Sequence, residues 1–219
     1  MSASTTPVPL PAAAENAGRL GVLGGSFDPP HRGHLHAARA ARAGFQLDHV
    51  IFVPAAQPPH KPERRLASGS ERLEMLALLL ADEPDVSTWG VELVRTGPSY
   101  TVDTLRELRR LVPATTQLYF ILGADNLAGF ARWRASEEIV RLAQPIVVRR
   151  AGAELVLSDT LALSAFARTR IDLGYLAAER CDVSSSTVRQ ALERGEALAD
   201  ELPRRLLDYV RRRGLYRAP

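Results

Sequence analysis

A string of glycine, proline and histidine after the first apolar run of the chain is the feature that most constrains its fold. The run Leu20–Leu23 has the length and composition of a buried strand, and the string that follows is GGSFDPPHRGH, residues 24–34. An alanine-rich segment beginning at Leu35 then predicts a helix. A strand, a glycine turn and a helix N-terminus in succession form an arrangement that binds phosphate.

Two histidines, His31 and His34, fall three residues apart where this helix is expected to begin. On a helix they share one face at its positive end, where imidazole N–H groups can hold phosphoryl oxygens through a transition state. Gly24 and Gly25 allow the backbone to approach a ligand where a side chain would clash. A single histidine is more often a surface or core residue, so the H-x-G-H spacing after the glycines is what favours a functional interpretation.

The composition narrows the class of protein. With 46% hydrophobic and 24% charged residues, the 219-residue chain is typical of a globular protein with a sizeable core. The net charge is only +3, and Lys61 is the single lysine. One cysteine, Cys181, excludes an internal disulfide framework and a multi-cysteine metal site, which favours a cytoplasmic setting. Residues 1–18 are rich in Ser, Thr, Pro and Ala and predict a disordered tail, and no apolar run approaches a membrane span.

Hydrophobic patterns predict further elements along the chain. The predicted strands are Val50–Val53, Asp85–Thr88, Val91–Val94, Leu118–Leu122, Pro145–Val148 and Ile171–Leu173. Two predicted helices span Ser70–Ala81, with Ser70 as N-cap, and Ser136–Leu142. Three more are predicted to end at Leu111, at Glu193 and at Arg213.

Two loops carry groups suited to anions. The proline-rich loop after the second strand holds His60 and Lys61, either of which can meet a phosphate or a carboxylate, although such a loop can also be a rigid solvated connection. Farther on, the helix that begins near Tyr100 and Thr101 projects N–H groups that could hold a carboxylate. The plain alternative is that these residues, with Ser99, only cap the helix.

Three more positions are candidate ligand contacts. Gly123 and Asp125 follow a strand, where the acid could bind a ribose or serve as a helix N-cap. Trp133 could stack on a flat heterocycle or simply pack beneath its loop. A serine cluster at 184–186, with Arg189 one turn into the next helix, predicts a second anion site.

Together these motifs resemble one branch of the HxGH nucleotidyltransferase superfamily, the bacterial nicotinate-nucleotide adenylyltransferases. GGSFDPPHRGH and SSSTVR are shared with the wider superfamily. The PPHK string, the stretch from Glu92 to Thr101, GAD with the later Trp133, and the closing GLYR are typical of this branch. The resemblance implies an α/β fold with a Rossmann-like doubly wound parallel sheet and C-terminal helices, in a single nucleotidyltransferase domain over residues 19–217.

The resemblance also implies a reaction and a set of roles. The family joins ATP and nicotinate mononucleotide, with Mg²⁺ carried by ATP, to give nicotinate adenine dinucleotide and pyrophosphate in NAD biosynthesis. The implied catalytic residues are His31, His34 and Arg189, and no residue is expected to ligate a metal. The implied contacts to ATP are Gly24, Gly25, Ser26, Gly123, Asp125, Ser184 and Ser186. The implied contacts to the mononucleotide are His60, Lys61, Tyr100, Thr101 and Trp133.

The chain departs from the family pattern at two positions that bear on the pyridine nucleotide. Ala55 stands where Asn is common, and Arg134 stands where an aromatic residue is common. The alternatives are a pantetheine-phosphate or nicotinamide-preferring transferase, or a nucleotide-binding or RNA-binding module that has lost turnover. The intact histidines and Arg189 argue against the last. We expect no nucleic-acid or membrane partner, and a homo-oligomer is possible.

Overall fold

The computed structural model describes residues 8–57, 66–150, 157–178, 181 and 183–217. In this part of the chain six strands form one parallel sheet: β1 Arg19–Gly25, β2 His49–Pro54, β3 Val86–Thr88, β4 Gln117–Gly123, β5 Gln144–Arg150 and β6 Tyr175–Ala178. Their order across the sheet is β3-β2-β1-β4-β5-β6. The order therefore reverses between β1 and β4, and a sheet of this kind binds ligands beyond the carboxyl ends of its strands at that point.

Helices cover both faces of the sheet, as in a doubly wound fold. They are α1 Ala12–Glu15, α2 Arg32–Phe45, α3 Gly69–Leu80, α4 Thr101–Leu111, α5 Ala124–Phe130, α6 Ser136–Leu142, α7 Ala165–Asp172, α8 Ser185–Glu193 and α9 Arg204–Arg213. One face carries α2, α3, α8 and α9, and the other carries α1 and α4 to α7. No helix among the described residues is both long and apolar enough to cross a membrane.

Alternate residues of the central strands supply the two cores. Val22 and Phe120 point into one core, whereas Leu23 and Ile121 point into the other, and all four are buried. Strands buried on both faces read as unbroken apolar runs, which is why the sequence predicted the central strands correctly. The predicted fold class, a Rossmann-like parallel sheet with C-terminal helices, is confirmed.

Three local predictions are wrong. The predicted strand Val91–Val94 is a 3-10 helix. In the predicted strand Ile171–Leu173, the first two residues end α7, and the last strand is β6 instead. Short apolar runs do not distinguish a strand from a buried helical turn, so tertiary packing decides between them. The N-cap of α3 is Ser68, whose hydroxyl accepts from the Glu71 N–H at 3.2 Å, and not Ser70.

The prediction of a disordered tail over residues 1–18 is wrong for residues 8–18, and residues 1–7 lie outside the described part. Leu10, Ala14 and Ala17 are buried in the core on the sheet face that also carries α4. Trp89 also holds this segment, because it is fully buried and its indole N–H donates to the Val8 carbonyl at 3.2 Å. A buried indole N–H needs an acceptor, and this N-terminal segment supplies it.

Candidate active site

A cleft of about 730 Å³ opens at the carboxyl ends of β1 and β4, where the strand order reverses. Helices α2, α4, α5 and α8 all begin at this cleft, because their first or N-cap residues are among those that line it. The predicted site residues that line it are Gly24, Gly25, Ser26, His31, His34, Tyr100, Thr101, Gly123, Asp125, Trp133, Ser184 and Ser186. A volume of this size is within the usual range for small-molecule sites.

The two histidines of the motif lie against each other at the start of α2. His31 is the N-cap residue, only 4% exposed, and its ring centroid is 3.8 Å from that of His34. The His31 backbone N–H donates to His34 Nδ1 at 3.2 Å. A neutral His34 therefore carries its proton on Nε2, and this assignment rests on the hydrogen bond.

A buried phenylalanine supports this pair from below. Phe27 is fully buried and adopts a positive φ of 49°, and its ring meets the His34 ring edge-on at 4.9 Å. A Cβ at Gly25 would lie 3.0 Å from the Phe27 ring, so the glycine is needed to let that ring turn under the strand end. The motif thus packs its own aromatic residue beneath the histidines.

The N-terminus of α8 is joined to the same motif. Its N-cap is Ser184, whose hydroxyl accepts from the Thr187 N–H at 3.1 Å, and Ser185 donates to the Pro29 carbonyl at 2.9 Å. Arg189 donates to the Asp28 carbonyl at 2.6 Å and to Ser186 Oγ at 3.0 Å. Arg189 alone among the predicted site residues in the described part is not in the cleft lining. Its contacts brace the motif against α8.

Across the cleft, α4 begins with unused backbone donors. Its N-cap is Tyr100, and the predicted cap Ser99 instead accepts from the Ala56 N–H at 2.9 Å. Within the described residues, the N–H groups of Tyr100 and Thr101 have no acceptor. Arg134 adds positive charge here, with its guanidinium 4.6 Å from the centre of the Tyr100 ring and 3.9 Å from the Asp103 carboxylate. This end of the cleft is suited to an anion.

The remaining predicted contacts divide into those the structure brings together and those it does not describe. Trp133 packs on Phe120 and Phe130, with ring centroids 5.9 and 5.4 Å away, and it also lines the cleft. Asp125 is exposed in the first turn of α5, and the N-cap there is Gly123, so the capping alternative for Asp125 is wrong. His60 and Lys61 lie outside the described residues.

Sequence reasoning missed one buried charged residue of the cleft, Glu92. It is 7% exposed, and burial raises the pKa of its carboxyl group, while hydrogen bonds from Thr104 and Ser99 partly oppose that rise. Nothing in the VELV pattern distinguishes a buried glutamate from a solvated one. Within the described residues there is no group of three or more His, Cys, Asp or Glu side chains able to hold a metal ion.

Comparison with known proteins gives consistent results. The model of the cytidylyltransferase-like family matches residues 22–191. Proteins of Dehalococcoides mccartyi, Gloeobacter violaceus and Bordetella petrii, each named "Probable nicotinate-nucleotide adenylyltransferase", are 38%, 40% and 41% identical to this chain. These alignments cover 90%, 92% and 91% of this chain and 97%, 97% and 99% of the relatives.

Solved structures share the fold at much lower identity. The Plasmodium falciparum nicotinic acid mononucleotide adenylyltransferase complexed with APC has a TM-score of 0.69 at 18% identity, over 90% of this chain and 96% of that one. The same enzyme complexed with NaAD gives a TM-score of 0.68, also at 18% identity, over 90% and 97% of the two chains.

Proposed function

Because the chain belongs to the nicotinate-nucleotide adenylyltransferase family, we propose that it transfers the adenylyl group of ATP to nicotinate mononucleotide. The products are nicotinate adenine dinucleotide and pyrophosphate, which makes the reaction a step in NAD biosynthesis. The observation that best supports this function is that the N-termini of helices α2, α4 and α8 converge on one cleft. Such a cleft suits a ligand with anionic groups at both ends and in the middle.

The chemistry asks the protein to align two substrates and to stabilise charge. A phosphate oxygen of the mononucleotide attacks the α-phosphorus of ATP, a new P–O–P linkage forms, and the bond to the β-phosphate bridging oxygen breaks. Pyrophosphate leaves with that electron pair. Because the attacking phosphate is already ionised, no side chain has to remove a proton.

We assign the motif histidines to the transferring phosphate. The proton on His34 Nε2 provides a donor for a phosphoryl oxygen, and the neighbouring ring of His31 is held by burial at the N-terminus of α2. Gly24, Gly25 and Ser26 would border the phosphates at the end of β1. Donors fixed in advance in a partly closed cleft stabilise developing charge without reorganising.

The other roles follow from the position of each residue around the cleft. Gly123 and Asp125 at the start of α5 would bind the adenylate ribose, and Ser184 and Ser186 at the start of α8 would contact the adenine and triphosphate. Arg189 would act on the triphosphate from beside Ser186. Trp133 would contact the pyridine ring, and His60 and Lys61 would contact the mononucleotide phosphate.

The family uses a divalent metal ion with ATP, and we propose that the ion is Mg²⁺. The carboxylate of the GGSFDPPHRGH motif, Asp28, is buried and already accepts from the Ala67 N–H at 3.1 Å and from the Tyr216 hydroxyl at 2.6 Å. The residues of the motif therefore fit an ion that arrives bound to the phosphate oxygens of ATP. When bound, such an ion neutralises part of the triphosphate charge.

The start of α4 supports an acid over an amide as the pyridine substituent. The N–H groups of Tyr100 and Thr101 and the guanidinium of Arg134 all favour a full negative charge. An amide would turn its NH₂ towards these donors and leave polar groups unpaired, at about 1–3 kcal/mol each.

Steady-state kinetics with both mononucleotides at saturating Mg-ATP tests this function. We expect kcat/KM for nicotinate mononucleotide to exceed that for nicotinamide mononucleotide by at least about 10²-fold. Arg134→Gln should reduce the ratio, whereas Arg106→Gln, which also removes an ion pair to Asp103 but lies outside the cleft lining, should not. Equal efficiencies would leave adenylyl transfer standing and rule out the carboxylate site.

A further inference from the structure

A buried arginine lies behind the phosphate side of the cleft. Arg72 on α3 is 2% exposed, and its guanidinium donates to three backbone carbonyls: Ser26 at 2.8 Å, Ala55 at 2.6 Å and Ala67 at 3.0 Å. A buried charge is costly unless it is fully hydrogen-bonded, so these carbonyls are held firmly in return. One guanidinium therefore joins the loop after β1, the turn after β2 and the residues before α3.

A buried glutamate of opposite charge lies in the wall of the other side of the cleft. The Glu92 carboxyl group accepts from the Thr104 hydroxyl and is also hydrogen-bonded to Ser99. Thr104 belongs to the first turn of α4 and accepts in turn from Arg95 at 2.8 Å. Glu92 thus fixes the start of α4, where the pyridine end of the substrate is proposed to bind.

The turn after β2 connects the two charges. The Ala55 carbonyl accepts from Arg72, and the N–H of the next residue, Ala56, donates to Ser99 Oγ, the hydroxyl that is bonded to Glu92. The Ser99 N–H donates back to the Gln57 carbonyl at 3.0 Å. A continuous path of hydrogen bonds therefore runs from the phosphate loop to the N-terminus of α4.

Electrostatics reinforce this connection. Burial lowers the pKa of Arg72 and raises the pKa of Glu92, and each charge opposes that shift in the other. Removing either one therefore makes the other costlier to bury.

We propose that Arg72 and Glu92 are positioning residues that fix the distance between the phosphate side of the cleft and the start of α4. This proposal rests on the proposed function, in which ATP and the mononucleotide occupy those two sides. Neither residue needs to touch a reacting atom. Their effect is to hold the attacking phosphate in line with the α-phosphate, a geometry in which a displacement of about 1 Å can cost about 10²-fold in rate.

The positioning role is tested by comparing the affinity for the whole dinucleotide with the affinities for its two mononucleotide halves. AMP and nicotinate mononucleotide each need one side of the cleft, whereas nicotinate adenine dinucleotide needs both at the correct separation. For Arg72→Lys and Glu92→Gln we expect Kd for each half, measured by titration calorimetry, to change by less than about threefold. We expect Kd for the dinucleotide to rise at least about tenfold, and kcat to fall by about 10–10²-fold.

The control is Arg39→Lys, an arginine of α2 that pairs with Glu83 away from this cleft and should leave all four quantities unchanged. Thermal unfolding of every variant separates positioning from a merely structural role, which would lower Tm without changing the ratio of dinucleotide to half-ligand affinity. If either buried variant does not fold, Ser99→Ala removes the hydroxyl that accepts from the Ala56 N–H, and it should show the same selective loss.

A dinucleotide loss no larger than the product of the two half-ligand losses would overturn the positioning role. The double variant adds a second criterion, because two residues acting through one path should together cost less than the product of their separate effects. The binding comparison needs no turnover. A wild-type protein that binds the dinucleotide but fails to form it would therefore refute the proposed function and leave this test of positioning intact.

Discussion

Replacing Gly33 with alanine would move a motif histidine without removing it. Gly33 is the second residue of α2, and a Cβ there would lie 2.9 Å from His31 Nδ1, 3.0 Å from His31 Cε1 and 3.3 Å from the Val183 carbonyl oxygen. Non-bonded heavy atoms prefer separations of about 3.5–4.0 Å. The His31 ring must therefore shift by about 0.5–1 Å. The new Cβ has little room to move instead, because the Val183 carbonyl oxygen is also closer than an ordinary contact.

The expected consequences for stability and rate differ in size. Alanine gains about 0.8–1 kcal/mol over glycine in a helix, and a displaced side chain loses about 0.5–1.5 kcal/mol, so the free energy of unfolding should change by less than about 1 kcal/mol. Turnover should suffer far more, because a misplacement of about 1 Å at a reacting centre can cost about 10²-fold. We expect kcat for Gly33→Ala to fall by about 10–10²-fold.

Pyrophosphate release under saturating substrates measures kcat, and thermal unfolding measures stability. Gly129→Ala in α5 is the matched control, because its Cβ would make only an ordinary contact, 3.5 Å from Arg132 Nη2. That variant should gain stability and keep wild-type kcat. A folded Gly33→Ala protein with wild-type kcat would refute the argument that the position of His31 matters to the chemistry.

Three further substitutions have defined outcomes. His34→Ala should lower kcat by about 10²–10³-fold, as for other fixed donors to developing charge, and near-normal turnover in steady-state assays would contradict the assignment. Lys61→Ala should raise KM for nicotinate mononucleotide far more than KM for ATP, and the reverse pattern would move this lysine to the ATP side. For Glu92, burial raises the pKa of the carboxyl group, so the folded protein binds that proton more tightly than the unfolded chain. The wild type should therefore lose stability relative to Glu92→Gln as the pH rises from about 4.3 through the raised pKa. Urea unfolding of both proteins across this range checks the sign, and parallel curves would refute it.

Much of the fold was predictable because its signals are local. Strands buried on both faces need continuous apolar runs, and Val50–Val53 and Leu118–Leu122 were recognised on that basis. The motif is local in the same sense. Its strand, glycine turn and helix start are adjacent in the chain, so the pairing of His31 with His34 follows from helical spacing and is confirmed.

The prediction of local structure failed where the local sequence pattern does not reflect the tertiary environment. The predicted strand at Ile171–Leu173 is instead the last two residues and the C-cap of a helix, because two apolar residues around an aspartate fit either element. The segment over residues 8–18 has the composition of a tail, yet Leu10, Ala14 and Ala17 pack in the core and the Val8 carbonyl accepts from the buried indole of Trp89. Nothing near Val8 in the chain indicates that contact, whose donor lies 81 residues away.

Only the tertiary structure decided which charged residues support the cleft. In sequence, Arg72 and Glu92 are ordinary members of polar-apolar patterns, and such residues are usually solvated. Their burial is possible because folding brings acceptors and donors from distant segments to each of them, including a carbonyl 46 residues from Arg72. The free energy that makes a buried charge tolerable resides in those long-range hydrogen bonds, and these form only when the sheet and the two layers of helices assemble.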